Sequence, residues 1–114
     1  MIREVIFYKN YFSDFYSAQT PKVQRKIEYV LKLVSTVERV PEKFLKHLTG
    51  TNGLYEIRIE HSNNIFRVFC FFDKGTLVVL LQGFQKKSKK TPLREIEKAE
   101  RLKQQYLRGK KMKL

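Results

Sequence analysis

A chain of 114 residues that is 42% apolar and 13% aromatic is long enough to bury one core without disulfides or a structural metal, and too apolar for intrinsic disorder. Its formal net charge of +13, from 24 Lys and Arg against 11 Asp and Glu, departs from the even mix of signs that solubility alone requires and points to a polyanionic partner. A single domain over 1–114 is expected: there is no Pro/Gly/Ser-rich linker, no internal repeat, no apolar run near the ~20 residues of a membrane span, and no signal-peptide pattern.

Ile2 to Tyr8 reads as a first strand, with Ile2, Val5 and Phe7 among its apolar positions, and is expected to join the sheet. Asn10 is placed to cap a short helix through Ala18, in which Phe12, Phe15 and Tyr16 form one apolar side. Thr20-Pro21 is a stronger start, an N-cap followed by proline at the first helical position. Val23, Ile27, Val30, Leu31, Val34 and Val37 then hold helical spacing to about Arg39, before Pro41, while Lys22, Arg25, Lys26, Glu28 and Lys32 read as a solvated face. Pro41 to Gly53 reads as a connector anchored by Phe44, Leu45 and Leu48, carrying Lys46 and His47.

The chain is organised around Leu54 to Lys90. Tyr55, Ile57 and Ile59 alternate with Glu56, Arg58 and Glu60, the period of a half-buried strand. Ile65 to Phe72 is almost wholly apolar, with Arg67 as its one charge, and Cys70 there reads as a buried, inert thiol suited to a reducing cytoplasm. Asp73-Lys74-Gly75 is a turn, and Thr76 to Leu81 returns as a third strand, with the sheet expected to stop at Gln82-Gly83. Thr91-Pro92 opens a last helix striped by Leu93, Ile96, Ala99, Leu102, Tyr106 and Leu107; Gly109 is expected to end it and leave a frayed basic tail over 109–114. The order β-α-α-β-β-β-α describes an α+β fold: a small antiparallel sheet with two N-terminal helices packed on it and a C-terminal helix nearby.

Half of the cations, Lys86 to Lys113, follow Gly83, against only Glu95, Glu97 and Glu100. His47, His61 and Cys70 have no zinc-site spacing, and no phosphate loop or nucleophile elbow occurs. Arg58 and Arg67, from strands expected to be neighbours, and Lys86 and Lys87 after the third are the remaining constellation. Arg67 interrupts an apolar strand, where an unpaired charge is costly, so a functional role is expected of it, with a plain ion pair to Glu56 or Glu60 as the alternative. Cations gathered around one phosphodiester stabilise the added charge of a pentacovalent transition state, and a lysine among other cations has its pKa lowered toward proton transfer.

The blocks LYEIRIE, NNIFRVFCFFDKG and VVLLQGFQKKSKKTPLREIEKA, in this order and spacing, resemble the HigB-like branch of the RelE/ParE toxin superfamily, of phage-derived host-killing type, over about Lys46 to Tyr106. The resemblance implies ribosome-dependent mRNA cleavage without metal or cofactor, the RNA 2'-hydroxyl attacking its neighbouring phosphate. It assigns catalysis to Arg58, Arg67, Lys86 and Lys87, and RNA binding to Lys46, His47, Gln82, Phe84, Gln85, Lys89 and Lys90. Glu56 stands where RelE toxins carry a second lysine, as a proton acceptor or as a lost cation; Phe84 has a ring to stack but no proton to give; Gln82 replaces a frequent His. The implied partners are an antitoxin of helix-turn-helix, HigA-like type, the ribosome and mRNA, with operator DNA bound only through the antitoxin complex, in the cytoplasm and away from membranes. Two alternatives remain open from the residues: a ParE-type toxin that binds gyrase, and a nucleic-acid binding module without catalysis.

Overall fold

Local chemistry fixes where the long helix begins and ends. In the computed structural model, which describes residues 1–111, the elements are β1 (Glu4–Phe7), α1 (Tyr11–Ser17), α2 (Pro21–Thr36), β2 (Leu45–His47), β3 (Leu54–His61), β4 (Asn64–Asp73), β5 (Leu77–Lys86) and α3 (Leu93–Lys111). The Thr20 side chain accepts from the Val23 amide, with Pro21 in the first turn, so α2 starts where the cap pattern placed it. It stops at Thr36, short of Arg39. There Arg3 donates from Nη1 to the carbonyls of Val34 (3.0 Å) and Val37 (2.7 Å), and from Nη2 to that of Glu38 (2.7 Å). A guanidinium from the N-terminal segment thus satisfies terminal carbonyls that a further turn would have used.

The strand order is β1-β5-β4-β3-β2. The three long strands are antiparallel, but β1 runs parallel to β5, so the sheet is mixed rather than purely antiparallel. Strand direction is a property of the partner and leaves no mark in Ile2 to Tyr8. The stretch expected to be a plain connector contributes β2, antiparallel to β3; three residues are too few to show alternation. The β3–β4 turn is made by Ser62 and Asn63 at φ 49° and 65°, and the β4–β5 turn by Lys74 and Gly75 at φ 55° and 77°.

Strand β5 does not stop at Gln82-Gly83 but continues to Lys86, through a bulge. Val68 pairs with Gly83 and Cys70 with Leu80, so Leu81 and Gln82 share the place opposite Phe69. Both lie toward α3: Leu81 joins the core beneath it, and Gln82 Nε2 donates to the Glu95 carbonyl at 2.7 Å. The extra residue reverses the phase of β5, which brings Phe84 and Lys86 to the face already holding Val79 and Leu81.

Each sheet face has its own core. Phe12 and Phe15 of α1, with Val23, Ile27, Val30 and Val34 of α2, cover Ile57, Ile59, Phe66, Val68, Cys70, Val78 and Leu80. On the other face, Ala99 and Leu102 of α3 cover Leu54, Phe69, Phe71, Val79 and Leu81. Helix α3 runs through Gly109 rather than ending there. Tyr106 Oη and Lys110 Nζ both donate to Asp73 Oδ2, at 3.0 and 2.6 Å, which ties its last turns to the β4–β5 hairpin. The rest of the expected basic tail, 112–114, lies outside the described residues. Among those described, no helix is long and apolar enough to cross a membrane.

Candidate functional site

Residues directly opposite one another in a sheet share a face. On the α3 side, but at the end that α3's core contacts leave aside, three rows follow from the register. Lys46 of β2 lies opposite Glu56 of β3, which faces Phe69 of β4. In the next row Arg58, Arg67 and Phe84 are side by side on β3, β4 and β5, and in the last row come Glu60, Ile65 and Lys86.

Two like charges directly opposed on neighbouring strands repel, and here Glu56 compensates both. Glu56 is 6% exposed; its Oε2 lies 3.2 Å from Arg58 Nε and its Oε1 3.5 Å from Arg67 Nε. Arg67 is the more enclosed, at 3% exposure, and its Nη1 donates to the Phe66 carbonyl at 3.1 Å. Burial pulls the Arg67 pKa down, the Glu56 carboxylate opposes this and Arg58 adds to it; a guanidinium stays charged throughout. Lys86 is held below the ordinary lysine value, first by burial and next by Arg67 and Arg58, with Glu56 pulling the other way. The result is a fixed cationic centre graded from enclosed Arg67 to half-exposed Arg58 and Lys86.

Beyond Lys86 the chain opens. Asn63, Asn64, Ile65, Gln85, Lys86, Lys87, Ser88 and Lys89 line a groove of about 510 Å³ at this end of the sheet. Lys87, Lys89 and Lys90 are exposed. Gln85 points to the opposite face from Lys86, and its Nε2 donates to Asn64 Oδ1 at 3.2 Å. Phe84 is half-buried beside Arg67, its ring edge-on to Phe69 at 5.2 Å between centroids.

The structure therefore brings Glu56, Arg58, Arg67, Phe84 and Lys86 together, with Lys46 at the edge of the same face. It does not bring in His47, which lies on the opposite face, edge-on to Tyr55 at 5.2 Å. Nor does it bring in Gln82, which is 3% exposed and holds the start of α3. Sequence reasoning missed Lys26 and Lys43, which with Phe44, Arg58 and Glu60 line a smaller hollow of about 180 Å³ on the β3 edge. No periodicity connects α2, the β2 entry and β3 at that point, so only the fold reveals it. Among the described residues, no group of three or more His, Cys, Asp and Glu is placed to hold a metal ion.

Comparisons with known proteins agree with this architecture. A chain in the structure of the archaeal RelE-RelB complex from Pyrococcus horikoshii superposes with a TM-score of 0.56 at 18% identity, over 80% of this chain and 100% of that one, which is a likeness of fold. No curated protein matches the sequence. Residues 14–104 match the model of the family described as phage-derived protein Gp49-like (DUF891). The chain belongs to this Gp49-like family, and its fold is similar to that of the chain from the RelE-RelB complex.

Proposed function

We propose that this chain is the toxin of a toxin-antitoxin pair and acts as a metal-independent endoribonuclease on mRNA held by the ribosome. The observation that carries this reading is the pair Arg58 and Arg67, opposed on one open sheet face with Lys86 one row further on. In such a site a water takes the 2'-hydroxyl proton as the RNA 2'-oxygen bonds to the adjacent phosphorus and the bond to the 5'-oxygen breaks, leaving a 2',3'-cyclic phosphate and a 5'-hydroxyl. Arg58 and Arg67 stabilise the added negative charge, fixed in advance by Glu56. Lys86 gives a proton to the departing 5'-oxygen, and its lowered pKa suits that transfer. Glu56 has both oxygens turned onto arginines and serves to hold them. Lys46, Lys87, Lys89 and Lys90 lie where they extend the contact to flanking phosphates.

A toxin requires silencing, and the structurally similar chain comes from a complex with RelB. An antitoxin of helix-turn-helix, HigA-like type, covering the basic face with an acidic segment, fits the charge of this chain. The test is induced expression in a bacterial host with primer extension on abundant transcripts, comparing the native chain with Lys86→Ala and Arg67→Ala. New 5' ends within translated codons, reduced on the order of 10²-fold in each variant, are expected. Growth arrest without new ends would overturn the nuclease reading in favour of a gyrase-type target. In a purified assay on programmed ribosomes, the rate should fall on the alkaline side below the ordinary lysine pKa of about 10.4, and this limb should vanish in Lys86→Ala.

A further inference from the structure

Helix α3 carries two populations of cations with different fates. Three of its lysines turn back onto the body: Lys98 Nζ sits 5.4 Å from the Tyr11 ring centroid, Lys103 Nζ 5.5 Å from that of Phe71, and Lys110 Nζ 2.6 Å from Asp73 Oδ2. Its arginines do the opposite. Arg94, Arg101 and Arg108 recur every seventh residue and are all exposed. Among the described residues the ion pairs engage Arg58, Arg67 and Lys110, and none of these three. Two helical turns separate each from the next, so they form a row about 21 Å long on a rigid rod, drifting only slightly around the helix. Glu97 is the one exposed carboxylate within that stretch; Glu95 is turned to Gln82, and Glu100 is half-buried.

We infer that the outer face of α3 is a second RNA-binding surface, which grips the backbone of double-helical RNA apart from the strand held at Arg58, Arg67 and Lys86. Solvation alone does not select arginine over lysine at the outward positions. A planar guanidinium does suit the bidentate recognition of phosphate. A rigid row matches a partner whose phosphates are themselves fixed, as in an A-form duplex read through backbone and shape. The exposed Lys87, Lys89 and Lys90 lead directly from the catalytic face to the start of this helix, so one RNA-rich surface can meet both. Under the function proposed above, on which this part rests, that duplex belongs to ribosomal RNA, and the row orients the sheet face over the mRNA.

The probe is a blunt RNA duplex with no single-stranded stretch, titrated over a range of salt with the native chain, with Arg94→Gln/Arg101→Gln/Arg108→Gln, and with Glu97→Gln. The triple variant should bind at least tenfold more weakly, with a slope of log affinity against log salt shallower by roughly 2 to 3, at somewhat under one unit per lost phosphate contact. Glu97→Gln should bind more tightly, and this gain tests the surface even if the triple variant folds poorly. Unchanged duplex affinity in both would overturn the inference. So would loss of binding to a poly-glutamate peptide alone, which would make the face an acidic-protein site. The two readings fail separately. Cleavage on ribosomes with unaltered duplex affinity in the variants removes only this one. Loss of duplex affinity in a chain that cuts no mRNA removes only the nuclease.

Discussion

Glu56 is the residue on which the candidate site depends mechanically. Arg67 at 3% exposure and Arg58 directly opposite it share this one carboxylate, with Lys86 contributing a further positive field. Removing one partner of a buried pair leaves an uncompensated charge, so Glu56→Ala should destabilise the fold by about 3 kcal/mol. Replacing both members, as in Glu56→Ala/Arg67→Met, should recover most of that. Urea unfolding of the two variants decides it: a single variant within about 1 kcal/mol of the native chain would mean that solvent already screens the pair. The chemistry of this centre was legible in part. Arg67 stood out as a charge within an apolar strand, and an ion pair with Glu56 or Glu60 was the alternative to a functional role. The choice of Glu56 was not legible, because Glu56 and Glu60 lie on the same strand face and are equivalent by alternation. It follows only from the assembled sheet, in which Glu56 is buried in the row shared with Phe69 while Glu60, one row beyond the arginines, is exposed.

Among the elements, β5 and α3 decide whether the site assembles. The bulge at Leu81-Gln82 sets the phase that carries Lys86 onto the arginine face, and Gly83 beside it makes room for α1. A Cβ on Gly83 would lie 2.4 Å from Phe15 Cδ2 and 2.6 Å from its Cγ, a buried ring with no flexible end to yield. Gly83→Ala should therefore displace α1 and cost about 1 to 3 kcal/mol. An unchanged unfolding midpoint would show that α1 repacks freely. Helix α3 is held at its other end by Asp73, whose carboxyl lies below the usual range because Lys110 and then Tyr106 donate to it, against the effect of burial. A depressed carboxyl pKa gives stability that is present above the unfolded value of about 3.9 and is lost as the pH falls through the lower folded value. Asp73→Asn should remove that acid-side loss; a native-like acid limb in the variant's urea unfolding would assign it elsewhere. These features explain why element existence was more legible than element extent. Thr20-Pro21 announced α2 through its own cap chemistry, whereas its stop depends on Arg3, and the helix past Gly109 depends on Asp73, both distant in sequence.

At the scale of the molecule, charge is the property that composition announced and the fold distributed. Three ion pairs occur among the described residues, against a formal net charge of +13. The remaining cations are spread over a body 46 Å long and 33 Å wide, so most of them repel one another through solvent. At about 0.01 M ionic strength the screening length is roughly 30 Å and the whole body feels this field, while at about 0.15 M it is roughly 8 Å and only neighbours do. Added salt should therefore raise the thermal midpoint of the free chain while weakening its association with RNA. The same screening acts with opposite sign on folding and on binding, because a bound polyanion supplies the neutralisation that free solution lacks. Thermal melts of the free chain across this salt range, set beside melts with the RNA duplex bound, give the check. The free chain should gain stability as salt rises, and the bound chain should lose its advantage over the free one. A free-chain midpoint that falls with salt would mean that local pairs outweigh the net repulsion, and the basic surface would then be neutralised within the fold rather than held open for a partner.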